Sequence, residues 1–75
     1  MSRGRKEKIM FAENLRKLRQ AKGLSGQALA EQANITRQAI SKFEKGQATP
    51  KPETLILIAD ALGVTCEILI RGHIA

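Results

Sequence analysis

The chain has 75 residues, 43% of them hydrophobic, and its 13 Lys and Arg against 7 Asp and Glu give a net charge of +6. So short a chain makes one small folding unit, which argues against an enzyme with a deep, water-excluding cleft, while its apolar content argues against a disordered basic tail. Two Phe with no Tyr or Trp argue against a binder that stacks bases on aromatic platforms.

The charge is uneven. Residues 1–22 hold eight bases against two acids, and residues 23–75 hold five of each. Residues 1–8, with Arg3, Arg5 and Lys6, are expected to be a flexible basic N-terminal arm that tracks phosphates or simply stands in solvent. A folded domain is expected over 9–71 and a tail over 72–75.

No segment alternates with the strand period, and helical spacing recurs instead. Phe11, Leu15, Leu18 and Lys22 give a first helix from about Ile9 to Lys22, ended by Gly23. Ser25 caps a second helix through Ala33, with Leu29, Ala30 and Ala33 inward. Asn34 then suits the left-handed region. Thr36 caps a third helix, Arg37 to Lys45, with Ile40 and Phe43 inward and Gly46 at its end. Pro52 suits the first position of a fourth helix to Leu62, with Leu55, Ile58, Ala59 and Leu62 inward and Gly63 as its stop. Thr65 caps a fifth helix from Cys66 to about Ile70. None of the three caps has Glu or Gln three residues on, so each lacks a capping box. The prediction is an all-α, compact bundle of five short helices.

Only Asn34-Ile35-Thr36 separates the second and third helices. A turn that short suits a steep crossing, with Ala30 as the small residue at the contact and Ile35, Ile40 and Phe43 as apolar wedges. That is the helix-turn-helix arrangement. The stretch from Leu24 to Gly46, with Pro52-Glu53-Thr54-Leu55 and Ala59-Asp60-Ala61-Leu62-Gly63-Val64, resembles the Cro/phage-repressor type of helix-turn-helix, also called the xenobiotic-response-element family. The resemblance covers about residues 11 to 70 and implies a lambda-repressor-like DNA-binding domain. Two departures stand out: Gly26 where the family often has a phosphate-contacting Gln, which Gln27 could replace, and Asn34 at the usual turn Gly.

On the third helix, Arg37, Gln38, Ser41, Lys42 and Lys45 point away from the expected core. Arg can grip guanine O6 and N7 in a fork, and Gln can grip adenine N6 and N7. The resemblance places Arg37, Gln38, Ser41 and Lys42 where the family reads base edges in the major groove. Gln27, Thr36, Lys45, Gln47, Thr49 and Lys51 are the expected backbone contacts, through side chains and main-chain N–H groups. The resemblance also implies a structural pair between Arg19 and Glu44, locking the first helix against the third.

Other chemistry finds no carrier. Cys66 and His73 stand alone, without metal-ligand spacing, a nucleophilic set or a phosphate-cradling glycine loop, so no catalytic residue, metal or cofactor is expected. A single cysteine fits a reducing cytoplasm, and no stretch is long enough to span a membrane. The C-terminal Ile68, Leu69, Ile70 and Ile74 are open to three readings: completion of the core, a homodimer surface, or a junction to a further domain. One such further domain is peptidase-like, as in some bacterial regulators with a similar N-terminal module. The expected function is a sequence-specific, double-stranded DNA-binding transcriptional regulator, in the main a repressor of bacterial or phage type. The competing reading is a protein-interaction or antitoxin-type module of the same fold. A basic membrane-surface peptide is disfavoured by Arg19 on the apolar flank of the first helix.

Overall fold

The structure, a computed structural model, describes residues 3–72, with side chains from Met10 onward. Five helices follow in order: α1 Arg3–Ala21, α2 Gly26–Ala33, α3 Arg37–Glu44, α4 Pro52–Leu62 and α5 Cys66–Arg71. No strand occurs among the described residues, and the expected all-α bundle of five helices is what forms. Its radius of gyration is 11.2 Å, close to the ~11 Å of a compact domain this long.

The local chemistry sets the starts of the three capped helices. Ser25 Oγ accepts from the Ala28 N–H at 3.0 Å, Thr36 Oγ1 from Ala39 at 3.1 Å, and Thr65 Oγ1 from Ile68 at 3.1 Å. Each bond satisfies one of the N–H groups that a helix start leaves without a partner. Pro52 opens α4 without a side-chain cap from Lys51, as suits a residue with no N–H and a fixed φ.

The start of α1 differs from the sequence reading. The helix begins at Arg3, so the backbone of Arg3, Arg5 and Lys6 belongs to α1. Residues 3–8 are Arg-Gly-Arg-Lys-Glu-Lys. Arg, Lys and Glu are good helix formers but carry no apolar period, so a search for hydrophobic spacing cannot find them. Three smaller shifts occur at other ends, the first being that α1 stops at Ala21, one residue short of Lys22. Lys45 is the C-cap of α3 and not its last residue, and α5 runs one residue further, to Arg71.

The core draws one fully buried large side chain from every helix: Leu15, Leu29, Ile40, Ile58 and Leu69. Phe11, Ala12, Ala30, Ala33, Phe43, Ala59 and Leu62 close around them. Lys22 shares the helical spacing of Phe11 and Leu15 but is exposed, in the turn after α1. Its ammonium bends over the end of α4, 3.4 Å from where a Cβ on Gly63 would stand. A cation there favours the negative end of the helix dipole. Near the middle of α1, the Asn14 side-chain amide donates to the Ile70 carbonyl at 2.9 Å and ties α1 to α5.

The C-terminal apolar run resolves unequally. Leu69 is fully buried, so it completes the core and is unavailable to a partner, contrary to its place in the expected homodimer surface. Ile68 is half-buried, Ile70 is exposed, and Ile74 lies outside the described residues.

Candidate nucleic-acid interface

The α2–turn–α3 unit is built by one left-handed residue. Asn34 has φ 59° and ψ 42°, where a short polar side chain is tolerated far better than a bulky one. The next N–H, on Ile35, returns to the Ala30 carbonyl at 2.9 Å. Ala30 and Ala33 are buried at this crossing, and Thr36 restarts the helix. Burial of Ile40 and Phe43 then fixes the rotation of α3.

The opposite face of α3 carries the expected reading residues. Arg37, Gln38 and Lys42 are exposed, and Ser41 is half-buried. With Lys45, also exposed, they lie at i, i+1, i+4, i+5 and i+8, which is one side of a helix. The fold therefore brings the four together on a single outward surface, with Ser41 set back toward the base of α2.

The expected backbone-contacting group is more divided. Lys45, Gln47, Thr49 and Lys51 are exposed around the loop from α3 to α4. Two of the main-chain donors expected there are already used, because Gly46 N–H bonds to the Phe43 carbonyl at 3.2 Å and Gln47 N–H to Lys42 at 2.9 Å. The end of α3 leaves those carbonyls without helical partners, and the loop supplies them. Ala48 and Thr49 N–H groups take no protein acceptor among the described residues, and the four side chains project freely. Gln27 is exposed, but its amide donates to Glu31 Oε2 at 2.9 Å one turn along α2. The Thr36 hydroxyl accepts from Ala39, which leaves its own O–H to donate outward.

Arg19 and Glu44 meet as expected. Arg19 Nε donates to Glu44 Oε2 at 2.6 Å and Nη2 to Oε1 at 3.0 Å, with side-chain exposures of 15% and 14%. Arg19 Nη1 also donates to the Leu24 carbonyl at 2.8 Å, a third bond that no sequence pattern signalled. One side chain thus joins α1, the loop before α2 and the end of α3. The hydrogen bonds to Glu44 raise the Arg19 pKa above its ordinary value; burial opposes this and the Glu44 charge adds to it.

A shallow cleft of about 220 Å³ opens between the start of α2 and the flank of α3, lined by Arg19, Gly26, Arg37, Ile40, Ser41 and Glu44. Among the described residues no three His, Cys, Asp or Glu stand together as a metal site. None of the described helices is long and apolar enough to cross a membrane.

Comparison with known proteins agrees with this geometry. The chain is 43% identical over 63 residues to the SPbeta prophage-derived uncharacterized HTH-type transcriptional regulator YonR of Bacillus subtilis, covering 84% of this chain and 58% of that protein. It is 42% identical over 63 residues to the HTH-type transcriptional activator BcrR of Enterococcus faecalis, covering 84% of this chain and 31% of that one. It therefore spans only part of the length of these relatives. The crystal structure of the restriction-modification controller protein C.AhdI from Aeromonas hydrophila superimposes with a TM-score of 0.80 at 32% identity, covering 83% of this chain and 94% of that one. A helix-turn-helix family model matches residues 15–69, from the core position on α1 to the core position on α5, and the chain belongs to that family.

Proposed function

We propose that this chain is the sequence-specific, double-stranded DNA-binding unit of a transcription regulator, and that it acts chiefly as a repressor by occupying a promoter. The observation that carries the proposal is the outward face of α3. Burial of Ile40 and Phe43 leaves Arg37, Gln38, Ser41 and Lys42 on one protruding surface. In this reading α3 lies in the major groove with Arg37 and Gln38 at base edges. Lys42 and Ser41 add contacts further along the helix, and Gln27, Thr36, Lys45, Gln47, Thr49 and Lys51 meet phosphates and fix the register. Gln27 must exchange its bond with Glu31 to do so. Arg3, Arg5 and Lys6 add attraction that is blind to sequence.

Two copies would read a pseudo-palindrome with half-sites about 34 Å apart. With Leu69 in the core, self-association through α5 rests on the exposed Ile70 and the half-buried Ile68. The site of binding relative to the promoter decides whether occupancy blocks or recruits polymerase, and the relative named as an activator fits that latitude.

Random-site selection with the protein, followed by salt titration of the winning sequence, tests the proposal. The expected result is an enriched two-fold motif whose affinity falls with salt, with a slope of about −0.9 per phosphate neutralised. Absence of enrichment at low salt overturns it and leaves the protein-interaction or antitoxin-type module.

A further inference from the structure

Gly26 is the first residue of α2, and neither backbone geometry nor packing calls for glycine there. The positive-φ glycines among the described residues are Gly23, Gly46, Gly63 and Gly72, so Gly26 has a backbone that any residue can adopt. A Cβ at this position would meet only Ile40 Cγ2, at 3.9 Å, which is ordinary contact. Glycine here adds freedom to the unfolded chain that alanine would remove. The absence of a side chain does leave open the cleft beside Arg37 and Ser41.

Across that cleft the two arginines differ. Arg19 is held by Glu44 and the Leu24 carbonyl, whereas Arg37 bonds no protein acceptor among the described residues. Glu44 accepts two bonds from Arg19, and a carboxylate has about four lone-pair sites, so it retains capacity for a second donor. An arginine with room to fold back toward that carboxylate keeps conformations that a base-gripping fork must give up. Restricting such a side chain in advance is the general route to tighter, more selective recognition.

We propose that Gly26 is a specificity-determining position. By keeping the cleft open, it lets the Arg37 guanidinium move between a resting place in the cleft and the base edge, so the base pair assigned to Arg37 is read loosely. Gly26 acts through Arg37 and is a positioning residue. The inference rests on the proposal that α3 reads DNA.

The test is random-site selection on the unmodified protein, on Gly26→Ala, Gly26→Leu and Gly26→Gln, and on Gly26→Leu combined with Arg37→Ala, with melting temperatures measured alongside. Gly26→Ala should raise the melting temperature by about 2–8 °C and leave base preference unaltered, since a methyl group does not fill the cleft. Gly26→Leu and Gly26→Gln should displace Arg37 from the cleft and sharpen preference at one base pair by about three- to tenfold, short of a whole bidentate contact. The sharpening should vanish in the Arg37→Ala background. Unchanged preference in both filled variants overturns the inference, as does an equal change without Arg37. Loss of all binding by both folded variants also overturns it, because the cleft would then receive the DNA strand itself. If Gly26→Leu does not fold, Gly26→Gln decides the matter. If the unmodified protein enriches no sequence, the DNA-reading proposal fails as well, an outcome distinct from enrichment that Gly26 does not influence.

Discussion

Arg19 and Glu44, 25 residues apart in sequence, grip each other through two parallel hydrogen bonds and so fix α1 against the end of α3. Both side chains are about six-sevenths covered, so the pair lies between a surface bridge and a buried one. Removing one partner of a covered pair costs more than a surface bridge contributes, because the remaining charge stays desolvated.

Glu44→Ala should therefore lower stability by about 2 kcal/mol and the melting temperature by about 8–16 °C. Thermal denaturation followed by circular dichroism checks this, and an unaltered melting temperature would refute it. The pH dependence has a definite sign. The Arg19 pKa is raised in the fold, chiefly by its hydrogen bonds to Glu44. Its contribution is therefore fully present below the ordinary arginine range and is lost only as pH rises through the higher folded value. From about pH 6 to about pH 10 the stability gap between the protein and Glu44→Ala should stay flat.

Gly72 ends α5 with φ +83°, and a Cβ there would collide with the Asn14 side chain. Gly72→Ala combines left-handed strain, about 1–2 kcal/mol, with disturbance of the Asn14 bond to the Ile70 carbonyl. It should destabilise by about 2 kcal/mol. Adding Asn14→Ala should relieve part of the collision, so chemical denaturation of the double variant should show less than the sum of the single losses.

Thr36→Ala removes the cap at the start of α3 and should cost about 1 kcal/mol, whereas Thr36→Ser should cost little. If the hydroxyl also donates to a phosphate, Thr36→Ala weakens binding to every sequence by a similar factor, which a binding titration on two unrelated sites resolves.

Arg37→Ala and Lys51→Ala should separate reading from positioning. The first should cost about 1–3 kcal/mol at the preferred site and relax one base position. The second should weaken all sequences alike and reduce the salt slope by about 1. Uniform weakening by Arg37→Ala would move that residue to the phosphate-contacting group.

Much of the helix plan was legible because its signals are local. A cap is a bond between a side chain and an N–H three residues on, so Ser25, Thr36 and Thr65 could be named without knowing where the chain goes next. Asn34 and Pro52 act through their own dihedral preferences, and the spacing of Ile40 and Phe43 fixes which side of α3 faces out. The early start of α1 was not legible, since charged helix formers leave no apolar period.

The surplus of positive charge in residues 1–22 follows from the sequence by itself, as do the five helices and the composition of the α3 face. Where that charge is used is a tertiary matter. Arg19 is committed to Glu44 and Leu24, and Lys22 covers the end of α4, so two of those bases serve the fold. Tertiary structure also decided that Leu69 is core while Ile70 is exposed, and that Gly26 opens beside Arg37. Most of these join residues far apart in the chain, and the spacing of neighbours along one helix carries no information about which distant helix will cover it.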